Sequence, residues 1–144
     1  MNLDTIFKNM ENMAGGAKLT LPPNSFIEMD GKVIDYIDGK SIKVSFPVYE
    51  KYNNPAGIML GGFLPVFFDL SFGPLSYLVA KKPTSSLDLN TTFIKPVTAK
   101  DKEIIIDAKV VNHSKSYLIL EAEAFNNKDV LVGKSTSRML IFNS

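Results

Sequence analysis

The stretch from Ile58 to Ala80 constrains the fold more than any other part of the sequence. Only one of its residues, Asp69, carries a charge. A helix that is apolar on every side normally lies in the interior of a protein. A carboxylate inside such a helix costs free energy unless another group pairs with it or uses it. We therefore predict a buried central helix over residues 58–82 and regard Asp69 as its candidate functional group.

The same stretch is long enough to raise the alternative of a membrane span. A central aspartate costs about 2.5–3.5 kcal/mol on membrane insertion scales. Pro65 and Pro74 also interrupt the apolar run, and the N-terminal segment carries Asp4 and Glu11, unlike a signal peptide. These features favour a soluble, cytoplasmic protein that does not bind membranes.

Composition narrows the possible functions further. The 144 residues suit one domain, and 16 basic against 15 acidic residues give no reason to expect nucleic acid as a partner. Cysteine is absent, so the chain has no thiolate metal site and no cysteine nucleophile. A single histidine, His113, excludes a site of several histidines within one subunit. We expect no metal and no cofactor.

The segments on either side of the central helix predict one further helix and a sheet. Residues 1–16 have apolar side chains at helical spacing, and Gly15-Gly16 ends this amphipathic helix. Alternating apolar residues predict the strands Lys32–Asp38, Ser41–Val48, Ser86–Lys95, Glu103–Asn112, Tyr117–Phe125 and Val130–Phe142. A two-residue turn at Asp38-Gly39 is expected to join the first two strands.

This order predicts an α+β fold in which a curved antiparallel sheet wraps around the central helix as a single domain over residues 1–144. Strands adjacent in sequence usually pair with one another. The edge strands of such a sheet remain open, and pairing across a dimer is one way to cover them.

Two consecutive glycines, Gly61 and Gly62, precede the apolar run. Backbone N–H groups at a helix start suit an oxygen that carries negative charge, although paired glycines also permit close packing against a strand. Asn54 lies in an Asn-Asn-Pro loop, which on its own usually forms a turn. Together with Asp69, these residues are the first candidates for a catalytic site.

The pattern Asn54, Gly57, Leu60-Gly61-Gly62 and Asp69, followed by the strand SSLDLNTTFIKPV, resembles the hotdog-fold acyl-CoA thioesterases. The similarity is to the phenylacetate-pathway branch of the 4-hydroxybenzoyl-CoA thioesterase-like superfamily. It implies a hotdog fold, hydrolysis of an acyl-CoA without any cofactor beyond the coenzyme A of the substrate, and a homodimer or dimer of dimers. It also implies a site shared between two subunits.

The resemblance assigns roles to individual residues. Asp69 is the base for water or the nucleophile, and burial is expected to raise its pKa toward the working pH. The Gly62 amide holds the oxyanion. Asn54 positions the water or the carbonyl, and Ser86 assists the attacking water.

Further residues are implied as substrate contacts. Gly61 and Leu60 precede the oxyanion amide, and Leu60 occupies the position of the family's histidine. Asn90 is expected near the thioester or pantetheine. Strand alternation alone places Ser86, Asp88, Asn90 and Thr92 on one side of the strand, and a polar strand face usually faces solvent. Lys115 and Ser116 lie in a turn that suits the coenzyme A phosphates.

Two other hotdog functions remain open. The first is a protein that binds acyl-CoA or fatty acid without hydrolysis, which is the alternative that Leu60 raises. The second is a hydratase, which pairs an aspartate with a histidine on the helix, and this helix has none. In a purely structural interpretation, Asp69 is hydrogen-bonded within a dimer interface. The acyl group is not specified by the sequence.

Overall fold

The computed structural model describes residues 3–13 and 19–142. Its helices are α1 (Leu3–Met13), α2 (Asn24–Glu28) and α3 (Phe63–Ala80), and short 3₁₀ turns occupy Glu50–Tyr52 and Ala99–Asp101. Its strands are β1 (Lys32–Ile37), β2 (Ser41–Pro47), β3 (Thr84–Phe93), β4 (Glu103–His113), β5 (Tyr117–Asn126) and β6 (Leu131–Ile141). All six predicted strands are present, with ends that differ by at most three residues.

The strands form one antiparallel sheet in the order β1-β2-β4-β5-β6-β3, and α3 packs against its inner face. This is the α+β hotdog architecture that the sequence predicts. The expected pairing of strands adjacent in sequence is not found for β3. It pairs with β6, while β2 pairs with β4. The chain crosses through α3 between β2 and β3, which places β3 at the free edge of the sheet.

The central helix begins at Phe63, five residues later than predicted. The preceding residues form a loop whose backbone is bonded elsewhere: the Met59 N–H donates to the Val97 carbonyl and the Leu60 N–H to the Tyr52 carbonyl. Those bonds replace the helical bonds that an apolar sequence would otherwise make. The helix ends at Ala80, followed by Lys81 in the left-handed conformation (φ 57°).

Pro74 lies inside α3, and the helix continues through it. A proline clashes with the Cβ of the residue before it when that residue is helical. The preceding residue here is Gly73, which has no Cβ. Gly73 therefore avoids the clash between the proline ring and the preceding Cβ.

By length and composition α3 could cross a membrane, but half of its residues are buried within the domain. Phe67, Phe68, Phe72 and Leu75 are fully enclosed, with the sheet on one side and α1 on the other. This is the environment of a core helix in a soluble domain.

The N-terminal helix is confirmed as amphipathic, because Ile6, Phe7 and Met10 are buried. The predicted stop at Gly15-Gly16 lies outside the described residues. The short helix α2 was not expected from the loop-forming sequence Leu21-Pro22-Pro23-Asn24.

Phe26 of α2 carries the contact that fixes this helix. Its ring packs edge-on between Phe7 and Phe46, with centroid distances of 5.3 and 5.8 Å. Aromatic pairs in this geometry add to the stabilisation from buried area.

The first hairpin has the predicted strands but a longer connection. Three residues, Asp38, Gly39 and Lys40, join Ile37 to Ser41, and Gly39 adopts a positive φ of 73°. The predicted two-residue turn is therefore one residue too short. Glycine suits this position because it adopts positive φ without steric cost.

Candidate active site

Asp69 and Ser86 lie together between α3 and β3. The Ser86 hydroxyl donates a hydrogen bond to Asp69 Oδ1 at 3.0 Å, and Met139 Sδ lies 3.4 Å from the same hydroxyl. The Asp69 side chain comes from the second turn of α3 and Ser86 from the start of β3. The structure thus joins two of the predicted site residues. Met139 is a neighbour that no sequence pattern indicated.

A β-bulge at Leu87 produces this contact. Ser86 pairs with Met139, whereas Asp88 pairs with Arg138, so β3 contains one more residue than β6 between the two pairs. A bulge reverses the alternation of side chains along a strand. Ser86 therefore shares the inner face with buried Met139, while Asp88 lies on the outer face, where it pairs with Arg138 at 3.4 Å.

The prediction that the polar residues of this strand share one face is wrong for that reason. Asn90 is opposite the exposed Thr136 on the outer face, like Asp88. Its side chain is directed away from the face that carries Ser86 and Asp69. Within one chain, Asn90 is not part of the Asp69–Ser86 cluster.

The expected burial of Asp69 is also not found in the single chain, where its side chain is exposed. It lies at the edge of a cavity of about 260 Å³ between α3 and the N-terminal region. We call this space the Asp69 cavity. Residues that line it include Met10, Leu21, Phe26, Leu70, Tyr77 and Asp69. No sequence signal connected the N-terminal region with Asp69.

Asn54 organises the loop before α3. Its side-chain oxygen accepts hydrogen bonds from the N–H groups of Ala56 (2.9 Å) and Ile58 (3.1 Å). Its backbone N–H donates to the Ile58 carbonyl at 2.7 Å. The carboxamide oxygen is therefore committed to the loop, and the NH₂ group is the part of the side chain that can meet a ligand.

Tyr52 also holds this loop in place. It is buried, stacks on Phe63 with a centroid distance of 4.3 Å, and its carbonyl accepts from the Leu60 N–H. Burial, together with the charges of Asp30 and Glu28, raises the pKa of the Tyr52 phenol. The phenol stays protonated at neutral pH and acts as a neutral packing group.

The N–H groups of Gly61 and Gly62 donate to no acceptor in the part of the chain that the structure describes. Gly62 precedes the first residue of α3, where unsatisfied donors point out of the helix. Both glycines are exposed, and a Cβ at Gly62 would meet nothing within 4 Å. The two amides are therefore available to an anionic oxygen.

A second groove of about 260 Å³ lies beside these amides. We call it the Gly61 groove, and its lining includes Leu60, Gly61, Leu64, Phe93, Ile94 and Val97. Leu60, at the position of the family's histidine, is 52% exposed, and Phe93, at the end of β3, is 57% exposed. The sequence did not indicate that Phe93 or Ile94 would line a groove beside the amides.

One chain does not bring the amides and the acid together. Gly62 and Asp69 are seven residues apart on one helix, which corresponds to about 10 Å along its axis. A thioester carbonyl needs its oxyanion donors and its base within about 3 Å of the reacting group. The two halves of the candidate site are thus separate in the monomer.

Lys115 and Ser116 lie in the turn between β4 and β5, and both are at least partly exposed. The Ser116 carbonyl accepts from the Ile141 N–H, and Ile141 pairs with Thr84 at the start of β3. The turn is therefore at the same end of the sheet as Ser86. Ser116 directly precedes β5, which lies two strand spacings from β3, about 10 Å.

Among the described residues, no three histidine or acidic side chains are grouped closely enough to hold a metal ion. The residues at the candidate site are a carboxylate, a hydroxyl, backbone amides and apolar side chains. This set suits acid–base chemistry with stabilisation of an oxyanion.

Several solved structures are similar to this chain. The Escherichia coli PaaI protein from the phenylacetic acid degradation operon has a TM-score of 0.82 and 14% identity, over 100% of this chain and 98% of that one. A Haemophilus influenzae thioesterase, HI1161, has a TM-score of 0.77 and 15% identity, over 88% and 93%. The conserved Pseudomonas aeruginosa protein PA5202 has a TM-score of 0.75 and 23% identity, over 83% and 94%. At these identities the similarity shows a shared fold.

No curated protein sequence matches the chain. The family model of the thioesterase superfamily matches residues 56–133, which is more than half of the chain and contains Gly61, Gly62, Asp69 and Ser86. The chain therefore belongs to the thioesterase superfamily, and its family supports hydrolysis of a thioester.

Proposed function

We propose that the protein is a cytoplasmic homo-oligomeric acyl-CoA thioesterase with a catalytic site shared between two subunits. The observation that carries the proposal is the Asp69–Ser86 hydrogen bond in a chain of this superfamily. It supplies an oriented carboxylate on the face of α3 that borders a cavity.

The free edge of β3 supports the dimer. This strand has ten residues, exposes Leu87 and Phe93, and among the described strands pairs with β6 alone. A long edge strand with unpaired backbone N–H and C=O groups is a template for pairing with another chain. A second copy adding its own β3 in antiparallel orientation would satisfy these backbone groups and extend the sheet.

The same pairing would complete the site. An antiparallel pair centred on the middle of β3 places the Phe93 end of one strand beside the Ser86 end of the other. Gly61 lies close to Phe93, since a Cβ at Gly61 would be 3.6 Å from the Phe93 ring. The Gly61–Gly62 amides and Asn54 of one subunit thereby approach Asp69 and Ser86 of the partner subunit.

The reaction follows from these groups. Asp69 removes a proton from water, and the hydroxide attacks the thioester carbonyl carbon. The Ser86 hydroxyl occupies Asp69 Oδ1, which leaves Oδ2 for the water. The Gly62 N–H stabilises the oxyanion, and Asn54 orients the carbonyl or the water. Collapse of the intermediate breaks the C–S bond, and the proton held by Asp69 passes to the coenzyme A sulfur.

Substitution of the acid tests this proposal. Asp69→Asn keeps the size of the side chain and removes its basicity, so we expect coenzyme A release to fall by roughly 10²- to 10⁴-fold. Asp35→Asn is the matched control, because Asp35 is an exposed aspartate on β1. The measurement is thiol release from a panel of acyl-CoA substrates. An Asp69→Asn protein with undiminished turnover would refute the mechanism.

The exposed apolar side chain of Leu60 favours a second candidate, a protein that binds acyl-CoA or fatty acid without hydrolysis. It predicts ligand affinity without thiol release in the native protein. Calorimetric binding of acyl-CoA in the absence of product formation would select this function. Any Asp69-dependent release would exclude it.

A further inference from the structure

The Asp69 cavity is a second feature of the site, separate from the amides that would hold the thioester oxygen. The helix side of the cavity consists of Asp69, Leu70, Gly73, Pro74 and Tyr77. These residues occupy positions one, three and four apart, so they form one stripe along α3. The opposite side comes from α1 and from the residues that lead into α2.

The described lining of this cavity is mostly apolar, and Met10, Leu21 and Phe26 face the helix across the space. Its polar side chains are the Asp69 carboxylate and three hydroxyl groups, those of Thr20, Ser25 and Tyr77. Among the described residues that line it there is no lysine, arginine or histidine. An anionic group would meet the Asp69 carboxylate without a compensating cation from these residues, whereas a hydrocarbon group would be removed from water.

The volume limits what the cavity can hold. A dry protein cavity of about 150 Å³ accommodates benzene, or about 25 Å³ for each carbon atom. On that scale, the volume of about 260 Å³ here accommodates about ten carbon atoms. This corresponds to a medium-length alkyl chain or an arylalkyl group.

We infer that the Asp69 cavity is the acyl-group subsite and that it selects neutral, apolar acyl groups of up to about ten carbons. The inference rests on the proposed function, because it assumes that the thioester carbonyl lies at Asp69. From there the acyl group enters the cavity between α1 and α3. The coenzyme A part leaves in the other direction, toward solvent.

Gly73 determines the depth of this subsite. It lies one helical turn beyond Asp69, and a Cβ built on it meets no atom within 4 Å apart from its chain neighbours. A larger side chain at this position would therefore extend into open space within the cavity. Gly73→Leu introduces three carbon atoms more than Gly73→Ala. Both variants place the same Cβ beside Pro74, so Gly73→Ala is the control for any strain in the helix.

The experiment measures kcat/KM for saturated acyl-CoA substrates from two to sixteen carbons with the native protein and both variants. Burial of each methylene is expected to raise kcat/KM by about fourfold until the cavity is full. We expect a maximum near ten carbons for the native protein and for Gly73→Ala. For Gly73→Leu we expect a maximum about three carbons shorter than for Gly73→Ala, because its side chain occupies the space of three more carbon atoms.

Charge gives a second comparison on the same proteins. Succinyl-CoA and butyryl-CoA have the same number of acyl carbons, but only the first carries a terminal carboxylate. We expect succinyl-CoA to be hydrolysed at least tenfold less efficiently, since the carboxylate would enter an apolar cavity next to Asp69. Equal efficiencies would contradict the subsite.

Binding provides a readout that does not depend on turnover. A series of 2-oxoalkyl-CoA ketones, which have no thioester bond, is titrated calorimetrically into the same three proteins. If the native protein binds the ketones with the expected length profile but hydrolyses no thioester, the subsite stands and the proposed function fails. If hydrolysis occurs but Gly73→Leu has the profile of Gly73→Ala in both assays, the proposed function stands and the subsite is overturned.

A final variant tests whether the acyl group binds in the Gly61 groove instead of the Asp69 cavity. Ile94→Trp adds bulk to the Gly61 groove, where Ile94 is 43% exposed. We expect it to leave the preferred chain length unchanged. A shift of the maximum to shorter chains in Ile94→Trp, with none in Gly73→Leu, would assign the acyl group to the Gly61 groove instead.

Discussion

Ser86 lies beside Asp69 because its strand contains one extra residue. The bulge at Leu87 directs Ser86 to the inner face and Asp88 to the outer face. The Asp88 carboxylate stabilises the bulge by accepting a 2.8 Å hydrogen bond from the Arg138 N–H. The contact between the two candidate catalytic residues thus depends on a backbone irregularity that is itself hydrogen-bonded.

Ser86→Ala tests the value of that contact. Without the hydroxyl, Asp69 loses the donor that orients its carboxylate, and we expect kcat to fall about 10- to 100-fold with little change in stability. Ser85→Ala is the matched control, since Ser85 is an exposed serine one position earlier that pairs with Leu140. A loss of activity in both variants, or in neither, would argue against a specific role for Ser86.

Sequence reasoning located the acid but not its environment. Asp69 could be found because it is the single charge in an apolar run, and that signal is local. The separation of Ser86 from Asn90 could not be found, because a bulge leaves the alternation in the sequence unchanged while reversing it in space. The exposure of the Asp69 side chain in one chain could not be predicted either, since it depends on how other elements pack around the helix.

At the level of elements, α2 and β1 are held to the core by a close contact at Gly31. A Cβ at this position would lie 2.8 Å from the Phe26 ring and 2.9 Å from the Phe46 ring. Both rings are almost completely buried, so neither can move away at low cost. Glycine is needed here for space, although the sequence gives no turn or motif that indicates it.

Gly31→Ala is expected to lower the free energy of unfolding by about 1–3 kcal/mol, as overpacking of a core does. Chemical denaturation of the native and variant proteins measures this difference. Lys32→Ala is the control, because Lys32 is the next residue and its side chain is exposed. This variant is expected to change the free energy of unfolding by less than about 0.5 kcal/mol. A Gly31→Ala protein as stable as the native one would show that the aromatic cluster can rearrange.

The sequence was most informative about the positions of the helices and strands. Alternating apolar residues identified the strands β2, β4, β5 and β6 because one face of each contributes buried side chains to the core. The order of strands was less accessible: β3 pairs with the last strand of the chain, and this pairing is set by the long crossover through α3. The predicted start of the helix at Ile58 was wrong because the apolar sequence continues into a loop whose backbone is hydrogen-bonded to Tyr52 and Val97.

At the scale of the whole molecule, the proposed shared site makes a specific prediction about mixed dimers. Asn54→Ala and Asp69→Asn are each expected to inactivate both sites of a homodimer. In a heterodimer of the two variants, one site carries both substitutions and the other carries neither. Random assembly from equal amounts makes half of the dimers mixed, so activity is expected to return to about a quarter of the native value.

The measurement is thiol release after the two inactive variants are unfolded together and refolded as a mixture. Refolding each variant alone and mixing afterwards, for a time too short for exchange, is the control that shows no recovery. Absence of recovery in the mixed sample, with the dimer present, would place Asn54 and Asp69 in the same subunit's site.

The open edge of β3 would also link catalysis to abundance. The proposed site is built from two chains and exists only when two chains meet, so turnover in a dilute sample would rise with the square of the amount of protein rather than in proportion to it. Below the dissociation constant of the proposed dimer, each newly synthesised chain would be inactive until it met a second one. A cell could then switch hydrolysis on by modest overproduction of the polypeptide, with no effector and no covalent modification.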